Sequence, residues 1–394
     1  MGEGAQLVIR AGNVFLPDLR VEPVDVFIEG GLIASVGDEP PSWPASARVI
    51  AANGCFVAPG FIDIHHHGAV GHYAGDADPD ALAEIASYRA TTGCTAFLAS
   101  FAGEPESIER VVAAWESVND RPQPLARFVG VHFEGPFLSA EMPGAADPER
   151  LLRPDLGRLR EMLDAAGQWP RIMSLAPEME GGLELVAELR RRGIVPSIGH
   201  SNATFGEVMR AIEAGASHVT HSYNAMRGLH HREPGVVGAM LLDHRLTGEV
   251  IADGVHVHPA AMRLLLRAKG PDAVALITDG SPMTGMPRGE YERPDGRTIT
   301  VDETSVRLPN GRLAGSKSPI DLNLRLLVNE VGISPAEAVL MATEVPARIA
   351  QLLSERGTIE AGKRADFVIL SRDLRVQATL IGGRNAYVNP RFDA

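Results

Sequence analysis

Between residues 56 and 279, eight short apolar runs alternate with helical patterns, and this alternation restricts the fold more than any other feature of the chain. The runs are 56–64, 95–101, 127–134, 172–177, 195–200, 217–223, 249–256 and 273–279. Helical periodicity fills intervals such as 79–92, 104–118, 182–192, 204–214 and 259–269, and 334–352 follows the last run. Near-continuous apolar strands set between helices belong to a parallel sheet buried on both faces. Eight such units imply an α/β fold of the (β/α)8 TIM-barrel type, with function at the C-terminal ends of the strands. A doubly wound sheet would share the alternation, but the sequence lacks its Gly-rich phosphate loop. Residues 281–315, rich in Gly, Pro and Asp, interrupt the pattern and read as a long loop or hairpin over the barrel mouth.

The two ends have a different rhythm. Leu7 to Arg10, Val24 to Glu29, Leu32 to Val36, Ala365 to Ser371 and Gln377 to Ile381 are short β-rich runs, and Glu29-Gly30-Gly31 is a hairpin signal. Neither end has enough residues to enclose a core. Residues 1–58 and 354–394 are therefore expected to form one small β-sandwich domain, with the barrel over 59–353 inserted between them. A net charge of −13 with no basic run argues against a nucleic-acid partner. An anionic ligand would then need cations gathered locally in its site. No apolar stretch reaches the roughly 18 residues of a membrane span, and Met1 to Arg10 lacks the pattern of a signal peptide. Cys55 and Cys94 have no metal-ligand spacing and read as free thiols, so a reducing cytoplasm is expected.

The ends of the runs carry the chemistry. The first closes on Asp63-Ile64-His65-His66-His67. Strand side chains alternate faces, so His65 and His67 should point into the barrel, His66 outward to the helices, and Asp63 one layer below the pair. The third run ends at Glu134, just before Gly135-Pro136. A carboxylate buried at a barrel mouth is costly unless it meets a cation. His132, on the same face, reads as support rather than as a ligand. His200, His221 and Asp279 follow at the ends of the fifth, sixth and eighth runs. Imidazole and carboxylate donors together suit zinc, iron or another divalent transition metal. Such an ion brings the pKa of a bound water to roughly 7. Asp279 is placed to take that water's proton and pass it to a leaving amine. None of the lysines (Lys269, Lys317, Lys363) falls at an early or middle strand end, which leaves Glu134 as the candidate bridge if two ions are held.

Several segments go further. They are Pro59-Gly60-Phe61-Ile62-Asp63 leading to His65-x-His67, Val131-His132-Phe133-Glu134-Gly135-Pro136, Gly199-His200-Ser201-Asn202-Ala203-Thr204, Tyr223-Asn224-Ala225-Met226, Arg232-Glu233-Pro234-Gly235 and Ala252-Asp253-Gly254-Val255-His256. Over nearly the whole chain the sequence resembles the amidohydrolase superfamily, and within it the N-acetylglucosamine-6-phosphate deacetylases. The resemblance implies hydrolysis of a phosphorylated N-acetyl amino sugar to acetate and the free amine. It places one ion on Glu134, His200 and His221, and a second, where present, on His65 and His67. It also assigns the phosphate to Arg232, Asn224 and the Ala225 N–H, sets His256 against sugar or phosphate, and implies a homodimer with the site near the subunit contact. Three segments depart from the family pattern: Ala146 stands where a histidine is usual, Lys317-Ser318-Pro319 replaces Leu-Thr-Met, and Gly280-Ser281 replaces Ala-Met. All three are expected to line the substrate side. That leaves N-acetylglucosamine 6-phosphate, N-acetylgalactosamine 6-phosphate, a different acyl group or a non-phosphorylated N-acyl substrate open.

Overall fold

A computed structural model describes residues 6–392 except 42, 294 and 295; Met1 to Ala5, half of the segment read as lacking a signal peptide, lie outside it. Eight strands form one parallel sheet in sequence order: β1 (Phe61–His66), β2 (Cys94–Phe101), β3 (Arg127–Glu134), β4 (Pro170–Leu175), β5 (Val195–Ile198), β6 (His218–Val219), β7 (Thr247–Ile251) and β8 (Val274–Ile277). The sheet curls round until β1 meets β8 at the C-terminal rim. There the Asp279 N–H donates to the His65 carbonyl at 2.9 Å and the His67 N–H to the Gly280 carbonyl at 2.7 Å. The barrel therefore closes through the segments that carry the site.

The surrounding helices are α1 (Pro79–Thr91), α2 (Pro105–Asn119), α3 (Leu156–Ala165), α4 (Gly182–Arg191), α5 (Phe205–Ala214), α6 (Gly235–Leu242), α7 (Pro259–Lys269) and α8 (Ile320–Leu326). Ile62, Ile64, Leu98, Ile172, Ile251 and Ile277 pack together and continue into Val345, Ala347 and Ile349. A larger cluster, including Phe97, Trp115, Phe128 and Val250, fills the layer between strands and helices. The helix expected over 334–352 is two helices, Pro335–Ala342 and Glu344–Ile349. They are divided at Thr343, whose backbone is non-helical. Pro346 then sits in the first turn of the second helix, where its missing N–H leaves no bond unmade.

The run 56–64 also divides. Phe56–Pro59 pairs with Asn13–Phe15 on one side and Phe367–Leu370 on the other, in a six-stranded sheet built from both chain ends. A four-stranded sheet contributed by Gln6–Arg10, Val26–Glu29, Leu32–Val36 and Arg48–Ala51 faces it. Leu7, Ile28, Val57, Phe367 and Leu380 share the core between them. Gly30 and Gly31 make the expected hairpin: both have positive φ (59° and 81°), as a two-residue turn matched to strand twist requires. The segment 281–315 carries a three-stranded sheet (Gly289–Glu292, Thr298–Val301, Val306–Arg307), and its Ile299, Leu313 and Ala314 line the barrel mouth. No helix among the described residues is long and apolar enough to cross a membrane.

Candidate metal centre

Strand β1 delivers its histidines through an irregularity. Asp63 pairs with Phe97 and His66 with Ala99, so Ile64 and His65 together oppose the single residue Leu98. A bulge of this kind shifts the alternation by one residue. Ile64 and His65 thus both turn inward, His66 turns outward onto Phe97 (ring centroids 4.8 Å apart), and His67 returns to the mouth. The relation among the three histidines is as alternation requires, but Asp63 is not beneath them. It faces α1, where Arg89 pairs with it, and it accepts from the Thr278 hydroxyl at 2.5 Å.

Glu134 ends β3, and His200, His221 and Asp279 each lie two positions beyond their strands. His200, His221 and Asp279 have φ of 48°, 29° and 47°. L-residues rarely adopt this left-handed region, and its cost is tolerated mainly at functional sites. The reversal swings each side chain off the strand direction into the mouth. Glu134 sits at the centre. Its Oε1 is 3.2 Å from His200 Nε2, 3.1 Å from His221 Nε2 and 3.4 Å from His65 Nε2, while its Oε2 is 3.2 Å from His67 Nε2. Asp279 Oδ1 closes the cluster at 3.3 Å from His67 Nε2 and 3.7 Å from His65 Nε2.

The far side of two of the rings fixes where a hydrogen sits. His67 Nδ1 meets the Ser100 carbonyl at 3.0 Å, and His200 Nδ1 the Met142 carbonyl at 2.9 Å. A carbonyl only accepts, so both Nδ1 atoms carry hydrogen, and each Nε2 presents its lone pair to the centre when the ring is neutral, as it must be to bind an ion. His200 Nε2 nevertheless lies 3.1 Å from His221 Nε2, with Glu134 Oε1 completing the triangle. His221 Nδ1 is buried without a partner, so either a hydrogen on His221 Nε2 or a cation between the three atoms would reconcile contacts this close. Donors held about 2.1 Å from one ion stand roughly 3.0–3.4 Å apart, so the triangle fits a zinc-sized cation. His65, His67 and Asp279 form a second group of this kind, and Glu134 lies between the two, its Oε1 nearest His200 and His221 and its Oε2 nearest His67.

Electrostatics point the same way. Burial pushes the His67 imidazole down, but hydrogen bonds to Asp279 and Glu134 outweigh it and lift it to about 9. Burial pushes Glu134 up, yet the His65 and His200 imidazoles hold it well below the carboxylate range. The centre thus draws protons or a cation to itself. Burial keeps His132 neutral, down at about 3, and its ring is occupied by the Ile64 carbonyl and Ser174, so it supports the site from below.

The cluster opens into a cavity of about 980 Å³. Asn224, Ala225 and His256 line it, with His256 Nδ1 anchored 2.7 Å from Asp253. The Asn224 amide nitrogen is engaged by the carbonyls of His221 and Ser222. Arg232 does not line the cavity of its own chain; it is exposed, with its guanidinium 2.7 Å from His231 Nε2. Cations missed in the sequence do line it, among them Arg293 and Arg312 on the 281–315 segment. Of the departures from the family pattern, Ala146 and Ser281 face the cavity. Lys317, expected there too, instead donates to the Asp302 carbonyl at 2.7 Å and ties down that segment. Gly144 is pressed against the ring of His200: a Cβ there would lie 2.7 Å from His200 Cε1.

Residues 56–386 match the amidohydrolase family. The chain belongs to it. Among relatives of this amidohydrolase, an N-acetylgalactosamine-6-phosphate deacetylase of Escherichia coli is 35% identical over 382 residues, covering 96% of this chain and 99% of that one. An N-acetylglucosamine-6-phosphate deacetylase of Bacillus subtilis is 35% identical over 373 residues, covering 93% and 94%. The solved structure of a mutant N-acetyl-D-glucosamine-6-phosphate deacetylase from Mycobacterium smegmatis, in complex with N-acetyl-D-glucosamine-6-phosphate, superposes with a TM-score of 0.88. It is 33% identical and covers 98% of this chain and 100% of its own.

His66 gives a direct check on the strand register. Both of its ring nitrogens are buried without partners, and burial followed by the charge of Arg89 holds the ring neutral. His66→Ala is expected to leave metal content unchanged and to lower stability by about 1–2 kcal/mol, the cavity beside Phe97 being offset by removal of two unpaired nitrogens. Elemental analysis and thermal unfolding read the two effects. Metal loss in this variant would show that β1 carries the wrong face inward.

Proposed function

We propose that this amidohydrolase is a metal-dependent deacetylase that hydrolyses N-acetylglucosamine 6-phosphate to acetate and the amino-sugar phosphate. The observation that carries the reading is the convergence of Glu134, His200 and His221 at 3.1–3.2 Å, with Asp279 at the same mouth. Glu134, His200 and His221 would hold the principal ion, and His65 and His67 a second. Nitrogen and carboxylate donors suit zinc, and iron is the next candidate. A divalent ion held there would supply Lewis-acid activation of water and of the amide carbonyl.

The chain's own residues account for the proton traffic. Hydrolysis joins a water oxygen to the acetyl carbon, breaks the C–N bond and requires a proton on the departing nitrogen. Asp279 is the group that makes this transfer. Burial pushes its carboxyl up, but the hydrogen bond to His67 and the charge of His65 hold it lower, so it begins as the base. Having taken the water's proton, it is the acid that protonates the amine. His256, lifted by Asp253 against the opposing effect of burial, and the Ala225 N–H would contact the sugar or its phosphate. The phosphate is anionic, and arginine forks suit its geometry. Arg232 would reach the phosphate from a second copy in a homodimer, since its own cavity is out of its reach. Two free cysteines fit a cytoplasmic enzyme.

A substrate panel on protein of measured metal content tests the reading. Acetate release from N-acetylglucosamine 6-phosphate is expected to exceed that from unphosphorylated N-acetylglucosamine on the order of a hundredfold in kcat/KM. Equal rates would remove the phosphate from the assignment. A higher rate on N-acetylgalactosamine 6-phosphate would reassign the sugar, and inactivity on every N-acetyl sugar would reject the deacetylase.

A further inference from the structure

The structure assigns a positioning role to Glu249, a carboxylate enclosed behind the donor cluster, which aims one imidazole from each of the two donor groups. It rests on the metal reading above. Glu249 lies on β7, fully buried, and takes no part in the proton transfer. Its Oε2 is 2.9 Å from His65 Nδ1 and accepts the main-chain N–H of His221 at 2.9 Å. Its Oε1 lies 3.2 Å from His218 Nε2, and His218 is in turn held by Thr247 at 2.7 Å.

An ionised carboxylate away from water persists only where hydrogen bonds replace its hydration, and it can only accept them. Nδ1 of His65 must therefore carry the hydrogen, which leaves Nε2 as the atom that can offer a lone pair once an ion takes the place of its proton. That atom is buried without a hydrogen-bond partner and faces Glu134 and Asp279 at 3.4 and 3.7 Å. The bond to the His221 N–H acts on the second group. It pins the main chain where φ is 29°, the turn that sends His221 Nε2 toward Glu134 and His200. A carboxylate behind a metal-binding imidazole fixes its orientation and raises its basicity. One buried residue thus couples the two groups from behind, and it was visible in the sequence only as a lone acid within an apolar strand.

The test uses the full-length protein stripped and reloaded with zinc, its affinity measured by chelator competition and its folding by circular dichroism. Glu249→Gln keeps the volume and removes the charge. Zinc affinity is expected to fall about 10- to 100-fold at the weaker site, and at the group containing His65 the double variant with His65→Ala is expected to lose no more than His65→Ala alone. A folded Glu249→Gln protein with wild-type zinc affinity would overturn the role, as would fully additive losses at the group containing His65. A second measurement covers the case in which the variant does not fold. In zinc-loaded wild-type protein labelled with 15N at histidine, His65 is expected to be protonated at Nδ1 and to carry no hydrogen at Nε2. The opposite tautomer would overturn the proposal. Wild-type protein that takes up no zinc would instead sink the metal reading, which the tautomer measurement keeps separate.

Discussion

Asp279→Asn is expected to retain its metal and lose turnover, with kcat reduced about 10³–10⁴-fold. The substitution is close to isosteric, and asparagine is among the few residues that tolerate a positive φ, so the backbone at 47° has no reason to relax. The main-chain bonds that close the barrel, Asp279 N–H to His65 and Ser316 N–H to the Asp279 carbonyl at 2.8 Å, do not depend on the side chain. What disappears is a group that can take a proton from water and return it to nitrogen. Steady-state kinetics with elemental analysis of the same preparation check both halves. Activity within tenfold of wild type would remove Asp279 from the proton path. Loss of the metal would recast it as a ligand, a place its position beside His65 and His67 would permit.

Glu134→Gln is expected to lose bound metal at both donor groups, and with it at least about 10³-fold in activity. The two carboxylate oxygens lie nearest different histidines: Oε1 nearest His200 and His221, Oε2 nearest His67. An amide offers one acceptor oxygen and one NH2, so in either orientation a donor is aimed where lone pairs converge. The charge is lost as well, and a site assembled to hold positive charge is left with Asp279 alone at its mouth. Metal content after dialysis and a chelator titration read the result. A variant retaining one tightly held ion per chain would show that Glu134 does not link the groups. The thermal midpoint gives an independent reading, because a ligand bound only by the folded state adds about 2.7 kcal/mol at a hundredfold excess over its dissociation constant.

Much of the site was legible because strand ends and alternation are local properties. Eight apolar runs placed Glu134, His200, His221 and Asp279 at one rim, and spacing alone separated His65 and His67 from His66. What failed, failed beyond one strand's reach. Asp63 left the expected face because two residues of β1 oppose one of β2, an irregularity that exists only once the strands pair. Arg232 sits in a motif suited to phosphate but outside its own chain's cavity, and Lys317 anchors the 281–315 segment instead of lining the mouth.

The barrel, the terminal β-sheets, the hairpin at Gly30-Gly31 and the residues that gather at the mouth were legible in the sequence, since each follows from periodicity or from the conformational preferences of neighbouring residues. The tertiary structure alone decided how those donors meet. The left-handed turns at His200, His221 and Asp279 are unfavourable for isolated chains and persist because the Ser139 N–H, the Glu249 carboxylate and barrel closure hold them in turn. Glu249 itself gains meaning only from His65, His218 and His221, residues brought to it from two strand segments far apart in the chain. A buried charge is defined by its partners, and those partners are assembled by the fold.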